Sequence, residues 1–267
     1  MRLEYHQVDA FAERPFAGNP AAVVSLTEWL DDELMQRIAA ELNLSETAFF
    51  VPDSDAPGRF HIRWFTPATE VPLCGHATLA SAAVVSEVLQ CADWPITFDS
   101  ASGPLQVDRA GATFILDLPA NPPKAVAAPD GLAEALGCST SDCLLGNDIF
   151  LVALESEQQV RQLKPDFNAL SGHIEHGVIV TAVGDAYDFV SRFFAPSIGI
   201  DEDPVTGAAH CVLTPYWADR LGKSALHARQ ISARGGDVAC ELRYDRVALS
   251  GAAVFFSHGN LTVPDET

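Results

Sequence analysis

Two segments of the sequence are predicted to be helices that are buried on every side, and they constrain the fold more than any other feature. The first, 77–89, reads ATLASAAVVSEVL and is small and apolar nearly all round. The second, 208–221, is mostly apolar, contains Pro215 and is followed by Gly222. A helix without a polar face has to lie inside the protein. We therefore expect both helices in the interior, with a kink or a break at Pro215 in the second.

Each of these helices opens from a polar turn that contains glycine. The turns are LCGHAT at 73–78 and DPVTGAAH at 203–210, and predicted strands precede both of them. The two turns are not similar enough in sequence to show a duplication. The shared order of strands, turn and buried helix nevertheless indicates two pseudo-equivalent lobes with a cleft between them.

A proline-rich break, LPANPP at 118–123, is typical of a linker and predicts a domain boundary. We expect 1–118 to form the N-terminal lobe, which a C-terminal strand at about 258–267 could complete, and 119–257 to form the C-terminal lobe. Within the first lobe, Leu30, Leu34, Ile38 and Leu42 recur every fourth residue. This spacing predicts an amphipathic helix with Thr27 as its N-cap.

The net charge of −20 restricts the partners of the protein. Nucleic acids and anionic membrane surfaces bind basic patches, so neither is expected as a partner. The first residues, MRLEYHQVDAF, contain no apolar signal core, and no apolar run reaches membrane-spanning length. We therefore expect a cytoplasmic protein whose six cysteines are free thiols.

The two helix-opening turns are candidate anion sites. A helix N-terminus presents unpaired backbone N–H groups and the positive end of the helix dipole. Gly75 and Gly207 would let a ligand approach that backbone closely. Two such termini could bind a substrate carboxylate and stabilise the negative charge that forms when a proton leaves the neighbouring carbon. Alternatively, the two glycines only relieve steric crowding where each helix enters the core.

Neither a cofactor nor a functional metal ion is predicted. The sequence has no P-loop and no strand-led dinucleotide fingerprint. Cys74, His76, Asp203 and His210 are acceptable metal ligands, but their spacing matches no known zinc pattern and no closed set of four stands out. Because Cys74 lies near a helix N-terminus, its thiol could have a depressed pKa. A buried, inert thiol is the alternative.

Five groups of motifs, taken together, resemble the phenazine-biosynthesis PhzF-like family, in the family's order and over most of the chain. They are DAF with PFAGNP at 9–20, LSETAF at 44–49, RWFTP at 63–67, PLCGHAT at 72–78, and RFFAP with EDPVTG at 192–207. This family is similar in fold to diaminopimelate epimerase. The resemblance implies an α+β fold of two lobes, each a curved, barrel-like sheet around a central buried helix, with the active site in the cleft between them. It also implies a homodimer.

The resemblance assigns roles to residues. It implies that Glu46 is the general acid/base and that His76 and Asp203 line the substrate site as further catalytic residues. The implied substrate-binding residues are Asn19, Gly75, Ala77, Thr206, Gly207 and Ala208. The family often has serine at the position of Ala208, so one substrate-binding hydroxyl is missing here while the backbone N–H remains. Related epimerases use two opposed cysteines at the helix starts. Here Cys74 occupies the first position and Asp203 the second, so a two-thiol mechanism is not expected.

The predicted function is cofactor-independent isomerisation or epimerisation of a small carboxylate by proton transfer. The family's reaction is the isomerisation of a dihydro-hydroxyanthranilate. Glu46 is followed by Phe49 and Phe50, and apolar neighbours would raise its pKa toward neutrality if its side chain points inward. A solvent-facing glutamate in a turn led by Ser45 is the alternative. The alternative function is a catalytically silent protein that binds a small ligand or a partner, which Ala208 favours.

Overall fold

The computed structural model describes residues 1–139 and 143–264, and it divides into two compact units. The first unit consists of Met1–Asp117 together with the residues from Ser250 onward, and the second is Leu118–Leu249. The C-terminal segment of the first unit thus begins at Ser250 rather than at about residue 258. The reason is a strand at Ala253–Thr262 that pairs along its whole length with the strand at Arg2–Ala10.

Strands dominate the secondary structure of the described residues. In chain order, the strands are β1 (Arg2–Ala10), β2 (Asn19–Ser25), β3 (Glu46–Pro52), β4 (Arg59–Phe65), β5 (Glu70–Val71), β6 (Ile96–Ser100), β7 (Gly103–Ala110), β8 (Thr113–Pro119), β9 (Lys124–Val126), β10 (Cys143–Gly146), β11 (Ile149–Ala153), β12 (Val178–Val183), β13 (Phe189–Ala195), β14 (Ile200–Asp203), β15 (Ala225–Gln230), β16 (Gly236–Arg243), β17 (Arg246–Gly251) and β18 (Ala253–Thr262). The α-helices are α1 (Asp32–Leu42), α2 (Gly75–Glu87), α3 (Leu132–Leu136), α4 (Glu157–Gln162), α5 (Phe167–Ser171) and α6 (Gly207–Leu221). None of these helices combines the length and the apolar character needed to cross a membrane.

The first unit is built around α2. Strand β1 pairs antiparallel with both β18 and β2. The sheet continues through β3, which is parallel to β2, and β4, which is antiparallel to β3; β6 is then parallel to β4 and antiparallel to β7. Helix α2 packs on β1, β2, β3 and β18, and every residue from Gly75 to Val85 is buried. The helix that lacks a polar face is therefore the central helix of this unit, as predicted.

The second unit repeats this arrangement around α6. Strands β10 and β11 are antiparallel, β11 and β12 parallel, β12 and β13 antiparallel, β13 and β15 parallel, and β15 and β16 antiparallel. The same alternation runs through β1, β2, β3, β4, β6 and β7. Helix α6 packs on β15 and β16, and its residues from Ala209 to Ala218 are buried. The predicted fold class, an α+β protein with two pseudo-equivalent units around central helices, is confirmed.

Two details of the helices differ from the sequence prediction. Helix α1 is capped by Asp31 rather than Thr27, because the Asp31 side chain accepts a hydrogen bond of 2.9 Å from the backbone N–H of Glu33. Helix α6 runs from Gly207 to Leu221 without a break at Pro215. Proline cannot donate to the carbonyl four residues earlier. That carbonyl, on Cys211, instead accepts a 3.0 Å bond from the backbone N–H of Asn121.

Candidate functional site

Glu46 is the first residue of β3, and it is buried. The parallel register of β2 and β3 places it beside Ala21. Every residue of β3 from Glu46 to Val51 is buried, as expected for a strand that packs against the central helix. Only 11% of the Glu46 side chain is exposed. The alternative interpretation, a solvent-facing glutamate in a turn, is therefore wrong.

His76 links Glu46 to the start of α2. Its Nε2 atom lies 3.1 Å from Oε2 of Glu46. On the other side of the ring, Nδ1 lies 3.2 Å from the amide nitrogen of Asn19 and 3.5 Å from Sγ of Cys74. In the neutral ring protonated at Nε2, Nδ1 accepts a hydrogen bond from Asn19 and Nε2–H faces the carboxylate; in the imidazolium form both ring nitrogens carry a proton and Nδ1–H faces Sγ of Cys74. Three residues predicted for the site therefore form one cluster, and Cys74 belongs to it.

The cluster changes the ionisation of its own members. Burial acts to lower the pKa of the His76 imidazole, but Cys74 and Glu46 beside the ring outweigh it and raise this pKa well above its ordinary value. Burial raises the pKa of the Cys74 thiol, and the Glu46 carboxylate adds to that effect. This direction favours the thiol over the thiolate, in agreement with the inert alternative and not with an activated cysteine.

Two atoms of the cluster retain unused hydrogen-bonding capacity. Glu46 Oε2 and His76 Nε2 are buried and have no hydrogen-bond partner among the described residues. They are near enough to form an ion pair, but they are not aligned as a hydrogen bond. Unpaired polar atoms are costly inside a protein, so their presence here indicates a site that is completed by a ligand.

The start of α2 adds backbone donors to the cluster. Cys74 is the N-cap, and its side chain makes no capping hydrogen bond, in contrast to Asp31 at the start of α1. The amide of Thr78 donates to the carbonyl of Cys74 at 3.2 Å and is the first in the helical ladder. The amides from Gly75 to Ala77 thus precede that ladder and carry the positive end of the helix dipole. They suit an anion bound next to the Glu46–His76 pair.

The start of α6 carries the second set of predicted residues. Thr206 is the N-cap, and its hydroxyl donates to Oδ2 of Asp203 at 2.5 Å. Gln230, which is fully buried, accepts a 2.9 Å bond from the amide of Thr206. Its own side-chain amide donates to the carbonyl of Asp203 at 2.7 Å and to the hydroxyl of Thr206 at 3.1 Å. Gln230 therefore fixes the turn that precedes α6.

Gln230 was missed by the sequence analysis, although the sequence contains a signal for it. It ends β15, in which Leu226, Ala228 and Gln230 are the buried residues and the residues between them are more exposed. This alternation places Gln230 on the apolar face of its strand. A polar residue on that face has to be hydrogen-bonded, which marks it as a structural or functional contact.

The counterpart of Cys74 in the second unit is Thr206, not Asp203 as expected. Cys74 and Thr206 are the N-caps of the two central helices. Asp203 ends β14, and the matching residue in the first unit is Val71 at the end of β5. The motif comparison placed Asp203 at the helix start because it belongs to the same short motif as Thr206. The conclusion against a second thiol is unchanged.

The remaining predicted residues lie in the first turn of α6. Gly207 is buried and Ala208 is half-buried. His210 was considered as a metal ligand, but its Nδ1 lies 2.8 Å from the carbonyl of Thr206. Burial lowers the pKa of His210 to about 4, so this imidazole is neutral at physiological pH. Its Nδ1–H donates to the carbonyl of Thr206, the N-cap of α6.

Comparison with known proteins gives consistent matches along the chain. A family model described as phenazine biosynthesis-like protein, PhzC-PhzF, matches residues 8–259. A Pseudomonas aeruginosa protein named as an uncharacterized isomerase is 54% identical over 261 residues, which are 98% of this chain and 99% of that protein. The crystal structure of a PhzF-family phenazine biosynthesis protein from Enterococcus faecalis matches with a TM-score of 0.93 at 44% identity, covering 98% of this chain and 100% of the other. A hydroxyproline epimerase from Agrobacterium vitis shares the fold alone, with a TM-score of 0.65 at 10% identity over 97% of this chain and 91% of that one.

Proposed function

Because this chain belongs to the phenazine biosynthesis-like protein family, we propose that it is a cofactor-independent isomerase or epimerase that moves a proton on a small carboxylate substrate. The observation that carries this proposal is the buried pair of Glu46 Oε2 and His76 Nε2, which lie 3.1 Å apart. Both atoms lack a hydrogen-bond partner in the described part of the chain. A carboxylate that is buried and not fully hydrogen-bonded is suited to accept a proton from carbon.

Glu46 acts as the proton-transferring group. Its carboxylate takes a proton from a substrate carbon, and the electron pair of the broken C–H bond stays on the substrate as a delocalised anion. The proton on the Glu46 carboxyl exchanges with solvent, and Glu46 then protonates a different carbon in an isomerisation; in an epimerisation, a solvent-derived proton is delivered to the opposite face while Glu46 releases its proton to solvent. No electrons are gained or lost overall, so the reaction needs no redox cofactor. A positioned acid–base group accelerates such a reaction by roughly 10²–10⁴-fold.

His76 and the start of α2 stabilise the anion. His76 Nε2 lies 3.1 Å from the carboxylate, near enough for an ion pair that orients Glu46, and Asn19 holds the ring from the other side. The amides at Gly75 and Ala77 supply further donors that are fixed before the reaction begins. Donors that are fixed in advance stabilise charge that develops in the transition state, and this contribution commonly exceeds that of proton transfer alone.

The family resemblance also assigns substrate contacts to Asp203, Thr206, Gly207 and Ala208, and we keep this assignment as part of the proposal. The hydrogen bonds from Gln230 hold the Asp203–Thr206 turn in one conformation, which supports a binding role. The substrate class is a small carboxylate with a weakly acidic C–H bond. The family's reaction on a dihydro-hydroxyanthranilate is not transferred, because Ala208 lacks the hydroxyl that many family members have.

A catalytically silent binding protein is the second candidate. Ala208 favours it, because the loss of a substrate-binding hydroxyl can accompany a loss of turnover. The intact cluster of Glu46, His76 and Asn19 favours the enzyme.

Deuterium exchange distinguishes the two candidates. Cyclic, unsaturated and amino-substituted carboxylates are incubated in D₂O with the native protein, with Glu46→Gln and with Glu41→Gln, and deuterium on carbon is measured by NMR. Glu41 is exposed, so its replacement is a control of equal chemistry. We expect exchange with the native protein and Glu41→Gln but not with Glu46→Gln. Equal exchange in all three proteins would show that Glu46 is not the proton carrier. Ligands that raise the melting temperature equally in all three, with no exchange, would indicate the binding protein.

A further inference from the structure

We propose that Glu46, Cys74 and His76 form a binding site for a borderline transition-metal ion such as Zn²⁺, and that an ion bound there blocks proton transfer by Glu46. The second part of the proposal rests on the proposed function, whereas the first part does not. Sequence spacing did not indicate such a site, because Glu46 lies far from Cys74 in the chain and joins it only through the packing of β3 against α2.

The donor atoms are close together and chemically suited to this class of ion. One carboxylate oxygen, one sulfur and one imidazole nitrogen lie within 4.8 Å of one another, and all three residues are buried. Thiolate and imidazole select zinc, cobalt and similar ions, whereas magnesium and calcium require a shell of oxygen ligands. The combination therefore specifies the class of metal ion.

The unpaired atoms of the cluster point independently to a bound ligand. Glu46 Oε2 and His76 Nε2 are buried without a hydrogen-bond partner in the described structure, and a metal ion would satisfy both. Asn19 lies 3.2 Å from Nδ1 of His76 and Cys74 Sγ lies 3.5 Å from the same nitrogen, so Nε2 is left for the ion and the Cys74 side chain has to turn toward it. Metal-binding histidines usually have such a second partner, which orients the ring and leaves one nitrogen for the ion.

The number of ligands indicates that the metal site is open. Three protein ligands leave a fourth position of a tetrahedral zinc ion free for water or for a substrate carboxylate, unlike the closed set of four in structural zinc sites. An ion in this place would occupy the carboxylate that has to accept the proton. Zinc would therefore act as a reversible inhibitor rather than as a cofactor.

A second cluster, formed by Asp53, His61 and Asp99, serves as an internal contrast. Its donor atoms also lie within 4.8 Å of one another, but it is at the surface and contains no sulfur. Arg59 already binds Asp99 through two hydrogen bonds, of 2.5 and 2.7 Å. We do not expect this cluster to compete for zinc, and His61→Gln is the matched control variant.

Cobalt titration tests the site without reference to activity. The full-length protein carries Cys91→Ser and Cys138→Ser, because these two thiols are partly exposed and could bind metal nonspecifically. Co²⁺ should produce a sulfur-to-cobalt charge-transfer band that saturates at one equivalent, and Zn²⁺ should displace it. Cys74→Ala should abolish the band and His61→Gln should leave it unchanged. Asn19→Ala should weaken binding about 10- to 100-fold, which is the usual cost of losing an outer-shell partner.

Two further measurements keep the proposal open to refutation if Cys74→Ala does not fold. X-ray absorption of the zinc-loaded parent protein should show one sulfur ligand beside nitrogen and oxygen. Zn²⁺ at one equivalent should stop deuterium exchange, and EDTA should restore it.

The binding site is refuted by the absence of a charge-transfer band, by a band that survives in Cys74→Ala, or by zinc without a sulfur ligand. If metal binds but no substrate exchanges deuterium in the untreated protein, the proposed function fails while the metal site stands. Unimpaired exchange in the zinc-loaded protein would refute inhibition alone.

Discussion

The starts of α2 and α6 occupy the same place in two units of the same strand order, yet their polar groups are arranged differently. Each helix follows a short strand by the same interval, β5 in one unit and β14 in the other, and neither N-cap side chain caps its helix. At α2 the neighbouring Glu46 and His76 each keep a buried atom without a partner. At α6 the amide and the hydroxyl of Thr206 are both bound by Gln230. Repetition of the fold has therefore not repeated these contacts: Glu46 lies 3.1 Å from His76 at α2, whereas Gln230 holds the turn before α6, where His210 Nε2 is also buried without a hydrogen-bond partner in the described structure.

Changes to Glu46 should have the largest effect on proton exchange, because they remove a carboxyl that the matching strand of the second unit lacks. The matching strand of the second unit, β12, begins with Val178 and carries no carboxyl at that place. Glu46→Gln should lower kcat for proton exchange by roughly 10²–10⁴-fold. Glu46→Asp keeps the carboxyl but shortens its reach, and a misplacement of about 1 Å can cost about 100-fold.

Both Glu46 variants should leave KM within about threefold of the native value if Glu46 acts mainly in proton transfer rather than in binding. Steady-state kinetics on any substrate found by deuterium exchange provides the measurement. A large rise in KM with an unchanged kcat would instead assign Glu46 to substrate binding.

Removal of Gln230 should destabilise the second unit. Gln230→Leu leaves the amide of Thr206 and the carbonyl of Asp203 without their present partner, and each unsatisfied buried group costs about 1–3 kcal/mol. We expect the free energy of unfolding in urea to fall by about 2–4 kcal/mol. Gln106 on β7 is exposed, so Gln106→Leu should change it by less than about 0.5 kcal/mol. Equal effects of the two variants would show that the bonds made by Gln230 contribute nothing to stability.

His210 should make the stability of the protein sensitive to acid, whereas its counterpart in the first unit, Thr78, does not titrate. The hydroxyl of Thr78 donates to the carbonyl of the N-cap Cys74 at 2.6 Å, and His210 donates to the carbonyl of the N-cap Thr206 in the same way. Burial lowers the pKa of folded His210 from 6.5 to about 4, so the unfolded chain takes up this proton first as the pH falls. Stability is thus complete above pH 6.5 and is lost between pH 6.5 and about 4.

The loss of stability that is due to His210 should reach about 2 kcal/mol at pH 5. It is measured by urea unfolding at several pH values. His210→Thr copies the arrangement of the first unit and should reduce the pH dependence by this amount, whatever its stability at neutral pH. An identical pH dependence in both proteins would show that His210 is not responsible.

Ala208→Ser should have the smallest effect, and it addresses the substrate contacts of the second unit. The new hydroxyl lies in the first turn of α6, where it restores the residue that is common in the family. One added hydrogen bond contributes about 0.5–1.5 kcal/mol, so KM should fall by no more than about tenfold and kcat should stay nearly constant. A gain in kcat alone would place this residue with the proton-transfer machinery instead.

The fold could be predicted largely because its two central helices have unusual sequences. A helix of small apolar residues has no surface to expose, so α2 and α6 were recognisable without any partner in view. The details that failed depend on single contacts. Asp31 rather than Thr27 caps α1, and the amide of Asn121 binds the carbonyl that Pro215 leaves free in α6. Sequence patterns do not show which of several polar groups makes such a contact.

Some features of the candidate site could likewise be predicted from the sequence, whereas others depend on contacts in the folded chain. Glu46 and His76 belong to short motifs, and the motifs identified them, but their 3.1 Å separation depends on how β3 packs against α2. The pairing of Cys74 with His76 and Glu46 also required the folded chain. Gln230 belongs to no motif that the sequence analysis recognised, and only the alternation along β15 marks it. Equivalence between Cys74 and Thr206 became visible only when the strand orders of the two units were compared.

The pairing of β1 with β18 imposes an order in time on the assembly of the protein. Residues 2–10 pair with residues 253–262, and the N-terminal amine donates to the carbonyl of Val263 at 2.8 Å. During translation, one edge of β1 therefore stays unpaired until residues 253–262 have left the ribosome. The unit Leu118–Leu249 has all of its residues available earlier. Folding during synthesis commonly proceeds from the N-terminus, but here the middle of the sequence can finish first. The open edge of β1 is meanwhile a natural target for chaperones and for mispairing with another nascent chain.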